Sequence, residues 1–208
     1  MLDNRLFFPA TKRNNKFIGD ELSKIFTKNG SILEIGSGSG EHGVIFQKRF
    51  PEIIWQTSDP EYIHRKSIVS WIEHEKLSKK MPKPLEIDVT IAPWNIDNKI
   101  KGILQAIVCI NMIHIASWRC TQALFKESGK LLLKDQFLYL YGPFKIKNKF
   151  TSESNYLFDK SLKIQNKNWG IRNLENISEE ASRNDFFEEE LIPMPSNNFS
   201  LIYRKISN

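Results

Sequence analysis

Ile32-Leu33-Glu34-Ile35-Gly36-Ser37-Gly38-Ser39-Gly40-Glu41-His42-Gly43-Val44-Ile45-Phe46 is the stretch whose reading decides the fold. It opens with apolar residues that read as a short buried strand, breaks into alternating glycines, and continues into a segment that can form a helix. Strand, glycine turn and helix make the first unit of a nucleotide-binding α/β sheet. The glycines permit the turn's backbone angles and, lacking Cβ, let a ligand approach main-chain N–H groups at the helix N-terminus.

Two registers compete for this turn. Gly38-Ser39-Gly40-Glu41-His42-Gly43 satisfies the dinucleotide pattern G-x-G-x-x-G, with Asp59 about twenty residues further on. In that register the strand should run apolar straight into the first glycine, and Gly36 and Ser37 intervene. The second register reads Glu34-Ile35-Gly36-Ser37-Gly38-Ser39-Gly40, an acid followed by glycines at alternate positions. It resembles the first motif of class I S-adenosylmethionine (SAM) methyltransferases, and the chemistry agrees. SAM has no pyrophosphate to cradle, and its amino-acid end carries an ammonium that an acid can approach. The second register is preferred; a glycine turn that merely packs a strand on a helix is the plainer alternative.

The chain of 208 residues suits one domain with a full core, or one domain with a modest insertion. Hydrophobic content of 40% with 26% charged residues is that of a folded globule. No apolar run approaches the eighteen or so residues that cross a bilayer. The opening Met1-Leu2-Asp3-Asn4-Arg5 lacks a basic segment followed by an apolar core, so a cytoplasmic location is expected. Cys109, within an apolar run, and Cys120, on an expected helix, read as reduced thiols, and no metal site is expected. The net charge of +6 raises the question of nucleic acid. Scattered lysines, an acidic Glu175–Glu190 stretch and the lack of interleaved basic and aromatic residues argue against it.

Outward from the turn, Asn14 is expected to cap a helix that carries Phe17, Ile18, Leu22, Ile25 and Phe26 and ends at Asn29-Gly30. Ile53–Gln56 reads as the second strand, running out at Ser58-Asp59-Pro60; Asp59 and Pro60 also suit the start of a helix carrying Ile68, Trp71, Ile72 and Leu77 inward. Leu85–Ile87 is expected as a short third strand, followed by Asp88-Val89. Ala106–Ile110 is the most apolar run and reads as a central strand ending in Asn111-Met112-Ile113-His114. A helix from Ser117-Trp118 reaches Gly129, and Phe137–Tyr141 is a strand stopped by Gly142-Pro143. Residues 144–184 read as a mostly helical insertion, with Asn155, Phe158, Asp159 and Leu162 on one possible helix. Phe186–Ile192 and Phe199–Arg204 make a closing antiparallel hairpin.

These residues together carry a resemblance. Pro9-Ala10 with Arg13-Asn14, Leu33–His42, Trp55–Asp59, Asn111–Ile115 with Trp118, and Leu140-Tyr141-Gly142-Pro143 stand in the order seen in the DUF938 family, also called methyltransferase-like 26. So do Ser154-Asn155 with Phe158-Asp159, Trp169-Gly170-Ile171-Arg172, and Met194-Pro195-Ser196-Asn197-Asn198. The resemblance covers nearly the whole length. It implies a single domain over 1–208, with an N-terminal segment and helix over 1–30. The implied fold is α/β, a Rossmann-like class I methyltransferase. Its mostly parallel seven-stranded sheet has helices on both faces and a C-terminal antiparallel hairpin. Gly36, Ser39 and Glu41 depart from the family's usual Ala-Ser-Gly-Thr-Gly-Gln-His segment, and Lys134-Asp135-Gln136 stands where a Gly-Gly turn is usual.

The activity so implied is SAM-dependent methyl transfer to a small-molecule acceptor. Such a displacement needs alignment, exclusion of water and, where required, removal of a proton, but no enzyme nucleophile. Glu34, Gly36, Ser37, Gly38 and Gly40 are assigned to the amino-acid end of SAM and Asp59 to the ribose. Asp88 with Val89 is assigned to the adenine, and the backbone near Asn111 to the methyl channel. Arg13, Asn14, Asn155, Arg172, Asn197 and Asn198 are substrate candidates, with His114 first and Tyr141 second as a base. The segment after Asn111 lacks the Asn-Pro-Pro-aromatic pattern of many amide and exocyclic-amine methyltransferases, which argues further against nucleic-acid bases. A non-catalytic SAM-fold interaction module and an NAD(P)-dependent oxidoreductase are the competing functions.

Overall fold

The computed structural model of the chain describes residues 3–26 and 29–208. Met1, Leu2, Thr27 and Lys28, which the expected N-terminal segment and helix include, lie outside the described residues. The chain divides into two compact units, Met1–Val108 and Cys109–Asn208.

In the first unit the elements are α1 (Pro9–Ile25), β1 (Gly30–Ile35), α2 (Glu41–Arg49), β2 (Ile53–Ser58), α3 (Tyr62–His74) and α4 (Asn98–Lys101). β3 (Leu104–Ile110) begins here and runs through the dividing point. The strand order is β2-β1-β3, and β1 lies parallel to β2 with Ile32 opposite Trp55 and Ile35 opposite Ser58. Every residue of β1 is buried, as expected of a parallel strand covered on both faces. Gln47 of α2 locks this arrangement. Its amide donates to the Ile53 carbonyl at 2.7 Å and accepts from the Trp55 N–H at 2.9 Å, holding β2 to the helix that precedes it. Around it Phe46 and Trp55 pack with ring centroids 5.1 Å apart, and Phe26 meets Phe50 edge-on at 5.2 Å.

The second unit starts with a single 3-10 turn, Met112–His114, followed by α5 (Trp118–Leu131), β4 (Phe137–Gly142), β5 (Phe144–Ile146) and β6 (Lys149–Phe150). Next come α6 (Glu153–Gln165), β7 (Arg172–Asn173), α7 (Leu174–Arg183), β8 (Phe186–Met194) and β9 (Asn198–Lys205). The order β4-β9-β8 is antiparallel throughout, with β8 and β9 forming the expected hairpin. β6-β5-β7 make a separate three-stranded sheet.

Three local expectations are corrected, and the turn before β4 is defined. α1 starts at Pro9, not after Asn14, because proline's fixed φ suits the first helical position; Asn14 is buried within the helix. Leu85–Ile87 is reduced to one parallel bridge between Leu85 and Ser58, so six of the seven strands read from the sequence are present as strands. Pro82 and Pro84, without N–H donors, stand immediately before it. Residues 144–184 contain β5, β6 and β7 as well as helices. Finally, Asp135 takes the left-handed conformation, φ 68°, at the turn where glycine is usual, which a short polar side chain tolerates.

Replacing Gln47 with Ala leaves the Ile53 carbonyl and the Trp55 N–H without their partner in a buried site. A loss of about 2–3 kcal/mol in urea denaturation is expected, with the unfolding slope unchanged.

Candidate functional site

The first cluster lies where β1 and β2 end. Beyond Ile35 the chain turns through Gly36, Gly38 and Gly40 with φ of 68°, 55° and 89°. The alternating glycines are therefore alternating left-handed angles, which residues with a Cβ adopt at a cost. Gly40 is also the N-cap of α2, a helix end with no side-chain cap. A Cβ there would fall 2.7 Å from Ile68 Cγ1.

Three hydrogen bonds stitch the turn to β2. The Ser37 N–H donates to the Ser58 carbonyl at 2.8 Å, the Ser58 N–H to Ser37 Oγ at 3.2 Å, and the Gly38 N–H to Asp59 Oδ2 at 2.9 Å. Asp59 is only 4% exposed, and its other oxygen accepts from the Glu61 N–H at 2.9 Å and lies 3.0 Å from His64 Nδ1. It is not the helix cap that the sequence suggests: α3 begins at Tyr62 with Glu61 as its N-cap.

Glu34, expected beside the cofactor's ammonium, is buried in β1. Its side chain is 1% exposed and accepts from the Trp55 indole N–H at 2.9 Å, beneath α2, where a Cβ on Gly43 would lie 3.2 Å from its Oε2. Burial raises its pKa to about 7, opposed by hydrogen bonds from Trp55 and Ser37 and assisted by the charge of Asp59. An acid in a strand covered on both faces is enclosed by the packing that makes the strand.

Asp88 is exposed and turned onto its own loop, accepting from the Thr90 N–H and hydroxyl, each at 2.8 Å. Val89 is buried, and its carbonyl accepts from the Trp94 indole at 3.3 Å. Asn14 is spent on His42: Asn14 Oδ1 lies 2.8 Å from His42 Nε2, and burial drives the His42 pKa down to about 3. Arg13 is exposed on α1. Among the described residues no group of acids, histidines and cysteines is arranged to hold a metal ion. A cleft of about 260 Å³ lined by Glu41, Val44, Ile45, Lys48, Trp71 and Glu75 lies between α2 and α3 and contains none of the expected cofactor residues.

The second cluster belongs to the second unit. Asn111, with φ 62°, donates its N–H to the Tyr141 carbonyl at 2.8 Å. His114 is 1% exposed and meets the Phe144 ring edge-on at 5.1 Å, and neither of its ring nitrogens has a hydrogen-bond partner. Gly142 makes room for it: a Cβ there would collide with His114 Nε2 and lie 3.3 Å from Asn111 Oδ1. Burial, with the charge of Arg172, lowers the His114 pKa to about 3.

Arg172 laces the 3-10 turn to the loop before β7. Its guanidinium donates to the Ile113 carbonyl at 2.9 Å, the Asn168 carbonyl at 3.1 Å and the Ala116 carbonyl, and it stands over Trp118. The Gly170 N–H donates to the His114 carbonyl at 2.9 Å. Thus Asn111, His114, Tyr141 and Arg172 are brought together. Asn155, Asn197 and Asn198 form a separate group, in which Asn155 donates to the Asn197 carbonyl at 2.9 Å and Asn198 to the Pro195 carbonyl at 3.1 Å.

Two residues at the glycine turn are not among those the sequence points to. His64, five residues past Asp59, lies in the first turn of α3. Phe8, whose ring meets His64 edge-on at 5.9 Å, carries no local signal that it reaches the turn.

A family model described as "Protein of unknown function (DUF938)" matches residues 5–205. Among solved structures, an O-methyltransferase family protein from Burkholderia thailandensis aligns with TM-score 0.77 at 13% identity, covering 96% of this chain and 58% of that one. Human N-acetylserotonin methyltransferase in complex with SAM aligns with TM-score 0.74 at 10% identity, covering 95% and 53%. An O-methyltransferase family 2 protein from Planctomyces limnophilus in complex with apigenin gives 0.72 at 13% identity, covering 94% and 62%. The chain spans between about half and two thirds of the length of these structures. The likeness shows a Rossmann-like α/β methyltransferase fold with a mixed sheet and a C-terminal antiparallel hairpin.

Glu34 makes stability depend on pH. The folded protein retains a proton that the unfolded chain releases near the ordinary 4.5, so the stability is complete below that value and lost as the pH rises through about 7. Glu34→Gln keeps the acceptor for Trp55 and removes the titration. Its stability relative to the parent, from urea denaturation, is expected to be higher at about pH 8 than at about pH 5.

Proposed function

The chain belongs to the DUF938 family, whose model spans residues 5–205, and from that premise we propose that it is a SAM-dependent methyltransferase acting on a small-molecule acceptor. The observation that carries the reading is the left-handed glycine turn tied to Asp59 at the ends of two parallel strands, on a methyltransferase fold. The donor set fits the cofactor. The uncapped start of α2 offers main-chain N–H groups to a carboxylate, and Asp59 offers carboxylate oxygens to a vicinal diol. The small-molecule acceptor is supported by the likeness to the apigenin-bound protein.

When bound, SAM supplies a methyl group on a sulfonium, activated for in-line displacement. The chain's own residues bind, orient and exclude water. Gly36, Ser37, Gly38 and Gly40 would take the amino-acid end, Asp59 the ribose, and Asp88 and Val89 the adenine, with the backbone at Asn111 kept as the candidate for the methyl channel. Glu34 serves from beneath, bracing Trp55 and Ser37 instead of touching the ligand. Arg172 holds the 3-10 turn that presents His114. Asn155, Asn197 and Asn198 shape the loop before β9, and Asn14 serves through His42. Arg13 remains a substrate candidate, and Tyr141 the second candidate base after His114.

His114 is held neutral by burial, with both nitrogens free to engage an acceptor. A neutral imidazole accepts a hydrogen bond from an acceptor hydroxyl through its unprotonated nitrogen; taking that proton as the nucleophile forms requires the bound acceptor to raise the ring's pKa above its value of about 3. SAM and S-adenosylhomocysteine are expected to raise the melting temperature by mass action, whereas NAD(P) is not. Asp59→Ala should weaken SAM binding by about tenfold or more in isothermal titration. His114→Ala should leave SAM affinity unchanged and, with a methylated acceptor in hand, lower turnover by about a hundredfold. A chain that SAM does not stabilise overturns the proposal; one that binds SAM but turns over no acceptor would be an interaction module.

A further inference from the structure

We propose that the aromatic arm before α1, residues Arg5–Phe8, is part of the cofactor site: it docks on α3 and lays the Phe8 ring over Gly38, closing the glycine turn against water. The inference rests on the SAM reading of that turn and adds to it residues outside the strand-end motif.

The arm is held at successive points. The Leu6 N–H donates to Ser67 Oγ at 2.9 Å, and the Leu6 carbonyl accepts from the Trp71 indole at 3.0 Å. Phe7 meets Trp71 edge-on at 5.1 Å, and the Arg5 guanidinium stands 4.9 Å from the Trp71 ring centroid. The Phe8 N–H donates to Glu41 Oε2 at 2.6 Å, while the Phe8 carbonyl accepts from the Thr11 N–H inside α1. Both the arm's main chain and its rings are therefore committed to a single course over α3 and the start of α2.

That course is coupled to the turn through Ser39. The Ser39 carbonyl accepts from Ser67 Oγ at 2.6 Å, the same hydroxyl that accepts from Leu6. Ser39 Oγ donates to Glu41 Oε2 at 2.9 Å, the same oxygen that accepts from Phe8. The arm and the turn thus share two anchors, one on each flanking helix.

The Phe8 ring is 40% exposed, so it is not a core residue; what it covers is the turn. A Cβ on Gly38 would fall 2.8 Å from Phe8 Cε2, so the absence of a side chain there lets the ring approach. Its other neighbour is His64, the imidazole on Asp59. Phe8 therefore lies against the residue whose N–H meets Asp59 and against the ring that meets the same carboxylate. Excluding water from these bonds strengthens them.

The test measures SAM affinity and dissociation rate by titration and stopped flow on the full chain, with the ligand-free melting temperature beside each variant. Phe8→Ala is expected to raise the SAM dissociation constant about tenfold, through faster dissociation. Phe8→Tyr should restore affinity to within about twofold. Trp71→Phe, which loses the bond to Leu6, should fall between them. Where Phe8→Ala does not fold, Phe8→Leu keeps apolar bulk and is expected to weaken binding in the same direction. Unchanged affinity in a folded Phe8→Ala protein overturns the inference while leaving the SAM reading intact. So does tighter binding, which would mean that the ring occupies the cofactor's place. Failure of the parent chain to bind SAM overturns both.

Discussion

The hydrogen bond from the Gly38 main chain to the Asp59 carboxylate joins two strand ends into one surface. It exists because the β1–β2 register places Ile35 opposite Ser58, so the residues that follow each strand leave the sheet side by side. The left-handed angles at Gly36, Gly38 and Gly40 then return the chain to the start of α2 within a few residues. A side chain at Gly40 would meet Ile68 on α3, so the turn also fixes how closely α3 can approach. Ser37, Ser39 and Ser58 supply the short hydroxyls that such a turn needs, each bonded to main chain or to a neighbouring side chain. The site's geometry is thus a consequence of backbone chemistry at glycine and serine, with Asp59 as its charged keystone.

The same burial that makes β1 a strand determines what its acid does. Glu34 stands opposite Thr57 of β2, enclosed by Trp55 below α2, and the charge that bears on it is another carboxylate, Asp59. Desolvation and like charge both favour the protonated form, and two hydrogen bonds only partly offset them. A cation arriving above the turn would act in the opposite sense, favouring ionised Glu34. The buried carboxyl is therefore coupled electrostatically to the strand-end carboxylate of Asp59.

Much of this was legible in the chain. The apolar run before the glycines, the acid after Ile53–Ser58 and the closing hairpin follow from local pattern, because strand burial and turn chemistry act over a few residues. What escaped depends on partners distant in sequence. Asn14 looks like a cap, but the side chain that engages it is His42, 28 residues away. Leu6 carries no local signal of its partners, Ser67 and Trp71, more than 60 residues on, which accept from and donate to its peptide groups. Leu85–Ile87 has strand composition, yet it follows two prolines and pairs through a single bridge.

His114 poses the remaining physical question. A buried imidazole with two unpartnered nitrogens is an unfavourable arrangement, since each lost hydrogen bond costs about 1–3 kcal/mol. The chain nevertheless holds it in place. Gly142 leaves the space, Gly170 fixes the main chain, and Arg172 is bonded to three carbonyls around it. Arg172 also places a positive charge where it opposes protonation of the ring, so the imidazole is kept neutral by its charged neighbour as well as by burial.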